Sequence, residues 1–207
     1  MLKLRIGSGA PMLSPDGRDW CRLDAPRGAG ETAPHAVVLT GATPPHVDGL
    51  LDWRHGAPLT LYSTPAVFER LSGELPLLPL LDQWCGVRWH PIGVAGDALA
   101  ARFSIPDWPD LAFDAHALED DDAHAAPRIA LRVRDAAGHS VAFCPRQAPD
   151  ARTLAWMEGA DCVLFGGEPP TGRARKARWK ATFDALASPR KLLLNSAAAR
   201  QAEEIDL

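Results

Sequence analysis

The stretch LTGATPPHVDGLL, residues 39–51, sets a single histidine, His46, in a polar loop directly after the apolar run at 36–39. An imidazole at the mouth of a buried strand is a candidate metal ligand, because its neutral ring offers a lone pair. Asp48, two residues on, is its candidate orienting partner or second ligand. The competing reading is a histidine kept for hydrogen bonds within its own loop, since single histidines seldom form metal sites alone. A fuller centre would draw on His35, His55, His90 and His116. His35 opens the apolar run and is therefore expected at the opposite end from His46.

Three other groups bear on chemistry. Glu119-Asp120-Asp121-Asp122, followed by His124, offers carboxylate oxygens to a hard cation. It lacks the alternating spacing and glycine of a calcium loop, and an unspaced charge run also reads as a solvated loop. Arg173, Arg175, Lys176, Arg178 and Lys180 put five cations in eight positions, a docking place for an anionic ligand or acidic partner, or simply a solvated helix face. The formal charge of −4 gives no general reason to expect nucleic acid or an anionic membrane as partner. Cys21, Cys85, Cys144 and Cys162 form no CxxC pair, so a local zinc or thioredoxin-type motif is unsupported. Cys144 and Cys162 lie in apolar runs and read as small core residues. Cys21, beside Trp20, has no neighbouring histidine to activate its thiol. There is no Gly-x-Ser-x-Gly elbow and no Gly-Lys-Ser/Thr phosphate loop, and Gly7-Ser8-Gly9 is too short to mean a nucleotide site.

The elements that must hold these residues follow from local pattern. The first ten residues read as a strand ending at glycines, without the apolar segment or cleavage pattern of a signal peptide. Residues 24–34 read as an irregular surface loop, and 35–40 as a strand. Residues 59–63 have strand character; Thr64 and Pro65 then supply an N-cap and first turn for a helix ending near Gly73. Residues 75–86 are apolar and proline-interrupted, which suits a short helix or buried connection. Arg128–Arg134 and Ser140–Cys144 flank a turn and read as a hairpin. A helix at 150–158 leads to a strand at 161–165. Trp179, Phe183 and Leu186 stand at i, i+4 and i+7 on another helix, and a last strand at 191–194 precedes a short Ala-rich helix. This mixture indicates one α/β or α+β layered domain over 1–207. No apolar run approaches the ~20 residues of a membrane span, and the expected setting is cytoplasmic.

Several segments, in chain order, resemble the metallo-β-lactamase superfamily, and within it the pyrroloquinoline quinone (PQQ) biosynthesis protein B family. They are IGSGA at 6–10, LTGATPPHVDGLL, LPLLDQWCGVRWHPI at 78–92, MEGADCVLFGG at 157–167 and PRKLLLN at 189–195. The chain is markedly shorter than that family. The resemblance implies an αββα sandwich whose early loop carries His-x-His-x-Asp-His, with later Asp and His ligands at strand ends. Carried over, Thr40 keeps the preceding threonine, but the first His position is Gly41, the second Thr43 and the Asp Pro45. Only the last histidine is intact, as His46, and Gly49 keeps the structural glycine. The later Asp position is Gly166, the last His position Asn195, and the family's N-terminal cysteine cluster is reduced to Trp20-Cys21.

The resemblance therefore implies a vestigial pocket at His46, Asp48, Thr43, Gly166 and Asn195, with no metal or other cofactor expected. The function expected is binding or assembly, alongside an intact paralogue or another cofactor-biosynthesis protein, or around a small anionic metabolite. Trp53, Trp84, Trp89 and Trp108 would suit an interface if exposed, and are equally core candidates. The rival is an enzyme: a zinc- or iron-dependent hydroxylase of a tyrosine-containing precursor, or a hydrolase, with a site rebuilt around His46.

Overall fold

The computed structural model describes residues 1–6, 10–28, 34–53, 56–119, 128–146, 149–167, 170–194 and 203–207. Its first half builds one sheet. Strands β1 (Lys3–Ile6), β2 (Met12–Ser14) and β3 (Cys21–Leu23) run antiparallel to one another. From β3 the sheet turns parallel through β4 (Ala36–Val38), β5 (Leu59–Ser63) and β6 (Val87–Pro91). Parallel strands need crossovers, and the intervening segments supply them. These are helix α1 (Pro44–Val47) with a 3-10 turn at Asp48–Trp53, then α2 (Pro65–Ser72) and α3 (Leu77–Trp84).

The second sheet begins at β7 (Ala100–Phe103) and continues antiparallel through β8 (Leu111–Ala117), β9 (Ile129–Asp135) and β10 (Ser140–Cys144). It then turns parallel through β11 (Cys162–Phe165) and β12 (Arg190–Leu193), with α4 (Ala151–Met157) and α5 (Arg173–Ala185) as crossovers. The chain returns to the first sheet as β13 (Glu203–Asp206), antiparallel to β1. The orders are β13-β1-β2-β3-β4-β5-β6 and β12-β11-β10-β9-β8-β7.

Alternation along the strands sorts the apolar side chains into three layers. Leu4, Leu13, Leu23, Val38 and Tyr62 meet Phe113, Leu131, Val133, Val141 and Leu164 between the sheets. Val37, Leu39 and Leu61, one residue out of phase, pack under Val67 and Leu71 of α2 and Leu78 and Leu81 of α3. Ala142, Cys144, Val163 and Phe165 pack under Met157 of α4 and Trp179 of α5. Helices thus cover both outer faces of two mixed sheets, the αββα sandwich.

The 128–144 hairpin, the helix capped by Thr64 and the buried Cys144 and Cys162 stand as the sequence indicates. The strand at 191–194 is not the last, because Glu203–Asp206 forms β13. The expected Ala-rich helix falls on residues outside the described ones. Only Ile205 of β13 is apolar and buried, and charge supplements it: Arg5 meets Glu204 at 2.9 Å and Lys3 meets Asp206 at 3.0 Å. The 24–34 surface loop is also corrected, for Asp24 and Ala25 are 5% and 0% exposed.

Asp150 caps α4, its two carboxylate oxygens each accepting at 2.8 Å, one from Thr153 N–H and the other from Thr153 Oγ1–H. Burial opposes the charged form, but these donors hold its pKa below the usual carboxylate value. Asp150→Ala should cost about 1 kcal/mol in urea unfolding at neutral pH. The wild-type advantage is complete above the unfolded carboxyl value of about 4 and fades as pH falls through the lowered folded value.

Candidate functional site

The C-terminal end of β4 is where the histidine sits, and the strand's neighbours dictate how. After β3 the chain turns at Asp24, which adopts a left-handed backbone (φ 64°). Aspartate tolerates that region better than most non-glycine residues. The turn lays Asp24 and Ala25 across the end of the sheet. Asp24 N–H donates to Val38 O at 2.9 Å, and Ala25 N–H donates to His46 O at 2.7 Å. Gly49 N–H donates back to Ala25 O at 2.6 Å, and a β-carbon on Gly49 would collide with the Pro26 carbonyl. Glycine is required there by close backbone approach.

This strap buries the Asp24 carboxylate against three donors. Thr40 N–H reaches one oxygen at 2.7 Å, and Thr40 Oγ1–H reaches the other at 2.6 Å. His46 Nδ1 lies 2.9 Å from the same second oxygen. An ionised carboxylate only accepts, so Nδ1 carries the hydrogen and Nε2 is left for other contacts. Burial disfavours the imidazolium and Arg128 opposes it as well, yet the Asp24 charge and hydrogen bond outweigh them and raise the His46 pKa.

The second sheet closes the site. Ile129 N–H donates to Thr40 O at 2.9 Å, which brings Arg128 beside the β4 loop. A β-carbon on Gly41 would come 3.0 Å from His46 Cδ2, 3.1 Å from His46 Nε2 and 3.1 Å from Arg128 Cγ. Gly41 is thus a floor on which the imidazole edge and the arginine stem converge.

The other predicted residues do not join them. Asp48 is exposed and does not orient His46; Asp24 does, from 22 positions earlier. Thr43 is half-buried at the start of α1, without a side-chain capping bond. Gly166 is buried after β11, where an added β-carbon would make ordinary contacts with Pro145 and Phe143, so packing alone does not demand a glycine. Asn195, His55, Asp120, Asp121, Asp122 and His124 lie outside the described residues. His35 is at the far end of β4 as expected, 3.3 Å from Asp107 and stacked on Trp108. His90 stacks on Tyr62 and His116 on Trp156. Among the described residues no three His, Cys, Asp or Glu side chains are grouped to hold a metal ion. Among the described residues, His46 is thus without the two further donors that a catalytic zinc or iron takes.

Cys21 is fully buried, and burial drives its thiol pKa far up, which removes it as a reactive group. The tryptophans form no exposed patch: Trp53 and Trp108 are buried, Trp89 is half-buried and stacks on Phe68, and Trp84 alone of the four is exposed. Arg173, Arg175, Lys176, Arg178 and Lys180 are all exposed on α5, with Lys180 paired to Asp184 at 2.7 Å. Asp24 and Arg128 are the residues that sequence reasoning missed. No local signal marked Asp24, which follows a three-residue strand with Arg22 at its centre.

Residues 15–185 match the sequence profile of the beta-lactamase superfamily domain. The chain belongs to that superfamily. Within it the chain is 34% identical over 160 residues to coenzyme PQQ synthesis protein B of Pseudomonas aeruginosa, covering 70% of this chain and 50% of that protein. It is 36% identical over 157 residues to the protein of the same name from Cupriavidus necator, again over 70% and 50%. The chain thus spans about half the length of the curated relatives it matches. Among solved structures it resembles Zn(2+)-bound PqqB from Methylobacterium extorquens, with TM-score 0.70 and 16% identity over all of both chains. It also resembles the metallo-beta-lactamase fold protein YhfI from Bacillus subtilis, with TM-score 0.65 and 10% identity over 99% of this chain and 98% of that one. At such identities the structural likeness shows the fold. No described helix of this superfamily member is long and apolar enough to cross a membrane.

Asp24→Ala strips three hydrogen bonds from a buried site and should cost about 2–4 kcal/mol in denaturant unfolding. Asp24→Asn tests the charge. The raised His46 pKa means the charged pair stabilises fully below the ordinary imidazole value of about 6.5 and fades as pH rises through the folded value. The stability gap between wild type and Asp24→Asn should therefore widen as pH falls across that window.

Proposed function

We propose that this superfamily member works without a catalytic metal, as a binding or assembly partner of an intact PQQ synthesis protein B or another protein of that cofactor's biosynthesis. The observation that carries the reading is the packing on Gly41. A ligating side chain at that position needs both His46 and Arg128 to move. Thr43 is a weak neutral donor and Pro45 offers none, which leaves His46, through Nε2, as the one ligating side chain of that loop. A catalytic zinc or iron centre needs about three convergent protein donors and an open position.

The core supports the same reading from the other side. Val37, Val38, Leu39, Leu131, Val163 and Leu164 are all fully buried, so the chain keeps the packing of an αββα sandwich. A chain that specifies the fold but not the donor set is used for its surface or pocket. Fold kinship does not fix function, so the partner is the point to test. The four free thiols accord with a cytoplasmic setting.

Sedimentation of this chain mixed with an intact PQQ synthesis protein B from the same genome is the direct test. A saturable heteromeric complex at micromolar concentrations, unchanged by chelator, is expected. Two independently sedimenting species at concentrations up to about 100 μM would remove the assembly reading.

A further inference from the structure

The cations of this chain are unevenly spread, and α5 gathers them. Residues 173–191 carry seven of the 22 Lys and Arg residues and one of the 26 Asp and Glu residues, so the acidic excess lies elsewhere. Lys180 is paired with Asp184 at 2.7 Å, and Lys191 caps the helix by donating to the Asp184 and Leu186 carbonyls at 2.9 and 3.1 Å. Arg173, Arg175, Lys176 and Arg178 are exposed, and none of them makes an ion pair among the described residues. Their placement works against the helix. α5 has no acidic residue in its first turn, and its N-cap, Gly172, makes no side-chain capping bond. Cations there oppose the positive end of the helix dipole. Arg173 with Lys176, Arg175 with Arg178, and Lys176 with Lys180 are like charges at i,i+3 or i,i+4, which repel. A local rule broken without a structural return is the mark of a surface kept for function.

At about 3.6 residues per turn the cations fall in two rows. Arg175 and Arg178 lie on one side of the outward arc and Arg173, Lys176 and Lys180 on the other. Exposed Ala174, Ala177 and Ala181 run between the rows, with Trp179 buried on the opposite side. We propose that α5 is the docking face of this chain and that its occupant is an acidic helix of the partner protein, lying along the alanines with carboxylates meeting both rows. The inference deepens the assembly reading and rests on it. Charge complementarity selects this occupant, because carboxylates on both flanks replace the repulsion within α5 by opposite pairs. A nucleic acid is the poorer fit, since a long polyanion also meets the net negative remainder of the chain. A second copy would have to offer its acidic body to α5 head to tail, a contact that runs on into rings or filaments rather than a defined pair.

The experiment uses the full chain, 15N-labelled, at about 0.15 M ionic strength. It is titrated with a synthetic helical peptide carrying Glu on both sides of an alanine seam, with the same peptide carrying Lys instead, and with a single-stranded RNA of equal charge. The proposal expects the α5 amide signals to move saturably with the Glu peptide, half-saturated at about 1 mM or below, and not with the Lys peptide. The triple variant Arg175→Gln, Lys176→Gln, Arg178→Gln should bind the Glu peptide about tenfold or more weakly. The triple variant Arg18→Gln, Arg88→Gln, Arg152→Gln removes the same charge from exposed positions elsewhere and should change binding by less than about twofold. The α5 variant relieves like-charge repulsion, so its urea midpoint should not fall below that of wild type. The signals mapped on wild type keep the test decisive should it unfold. Unmoved α5 signals, equal losses in the two variants, or tighter binding of the RNA than of the Glu peptide overturn the proposal. Movement of the α5 signals on concentrating the chain alone does so too, and assigns the face to a second copy. Sedimentation with intact PQQ synthesis protein B separates the two readings. A complex that the α5 variant forms at full affinity keeps the assembly reading and overturns this one, whereas Glu-peptide binding at α5 without that complex keeps this one and removes that partner.

Discussion

A carboxylate buried at the end of a parallel sheet must have every strong acceptor position answered, and much of the β4 site follows from how Asp24 meets that demand. A buried charge is tolerated only when paired and hydrogen-bonded. Asp24 takes the Thr40 N–H that terminates β4, the Thr40 hydroxyl and the His46 Nδ1–H. Those bonds fix the direction in which the chain leaves β4, hold the imidazole in one orientation and keep the strap after β3 laid across the sheet. The left-handed turn at Asp24 and the obligatory glycine at Gly49 are the local means of bringing backbone that close.

Arg128 is the second charged neighbour of the ring. In a metal centre the imidazole's outer nitrogen faces a cation shared with other donors. Here it shares the floor of Gly41 with an arginine delivered by the second sheet, through the Ile129-to-Thr40 hydrogen bond that ties the sheets together. Asp24 raises the His46 pKa and Arg128 pulls it down, so the ring is balanced between a carboxylate behind and a guanidinium beside it.

Several elements were legible because their signals are local, while the sandwich they build came from the family resemblance. The 128–144 hairpin announces itself by alternation and a tight turn, and α2 by Thr64-Pro65 followed by an apolar stripe. Strands such as β2, β3 and β13 are three or four residues long, too short to show a period, and β13 adds one buried apolar residue, Ile205, to its ladder with β1 and its ion pairs to Lys3 and Arg5. The site was half legible. His46 and the ligand positions replaced by Gly41, Thr43 and Pro45 could be read from the chain. Asp48 is near His46 in sequence, whereas the residue that orients it is Asp24. Nothing local to residue 24 or residue 128 says that the two meet at His46, because that meeting depends on parallel pairing of β3 with β4 and on the contact between sheets.

The central claim is that this place no longer holds a metal, and elemental analysis tests it most directly. The chain, purified untagged without chelator and then reloaded anaerobically with iron or zinc, is predicted to retain far less than one metal per molecule, with no difference between wild type and His46→Ala. About one tightly held metal per chain, lost in His46→Ala, would contradict the account and establish a centre rebuilt around His46.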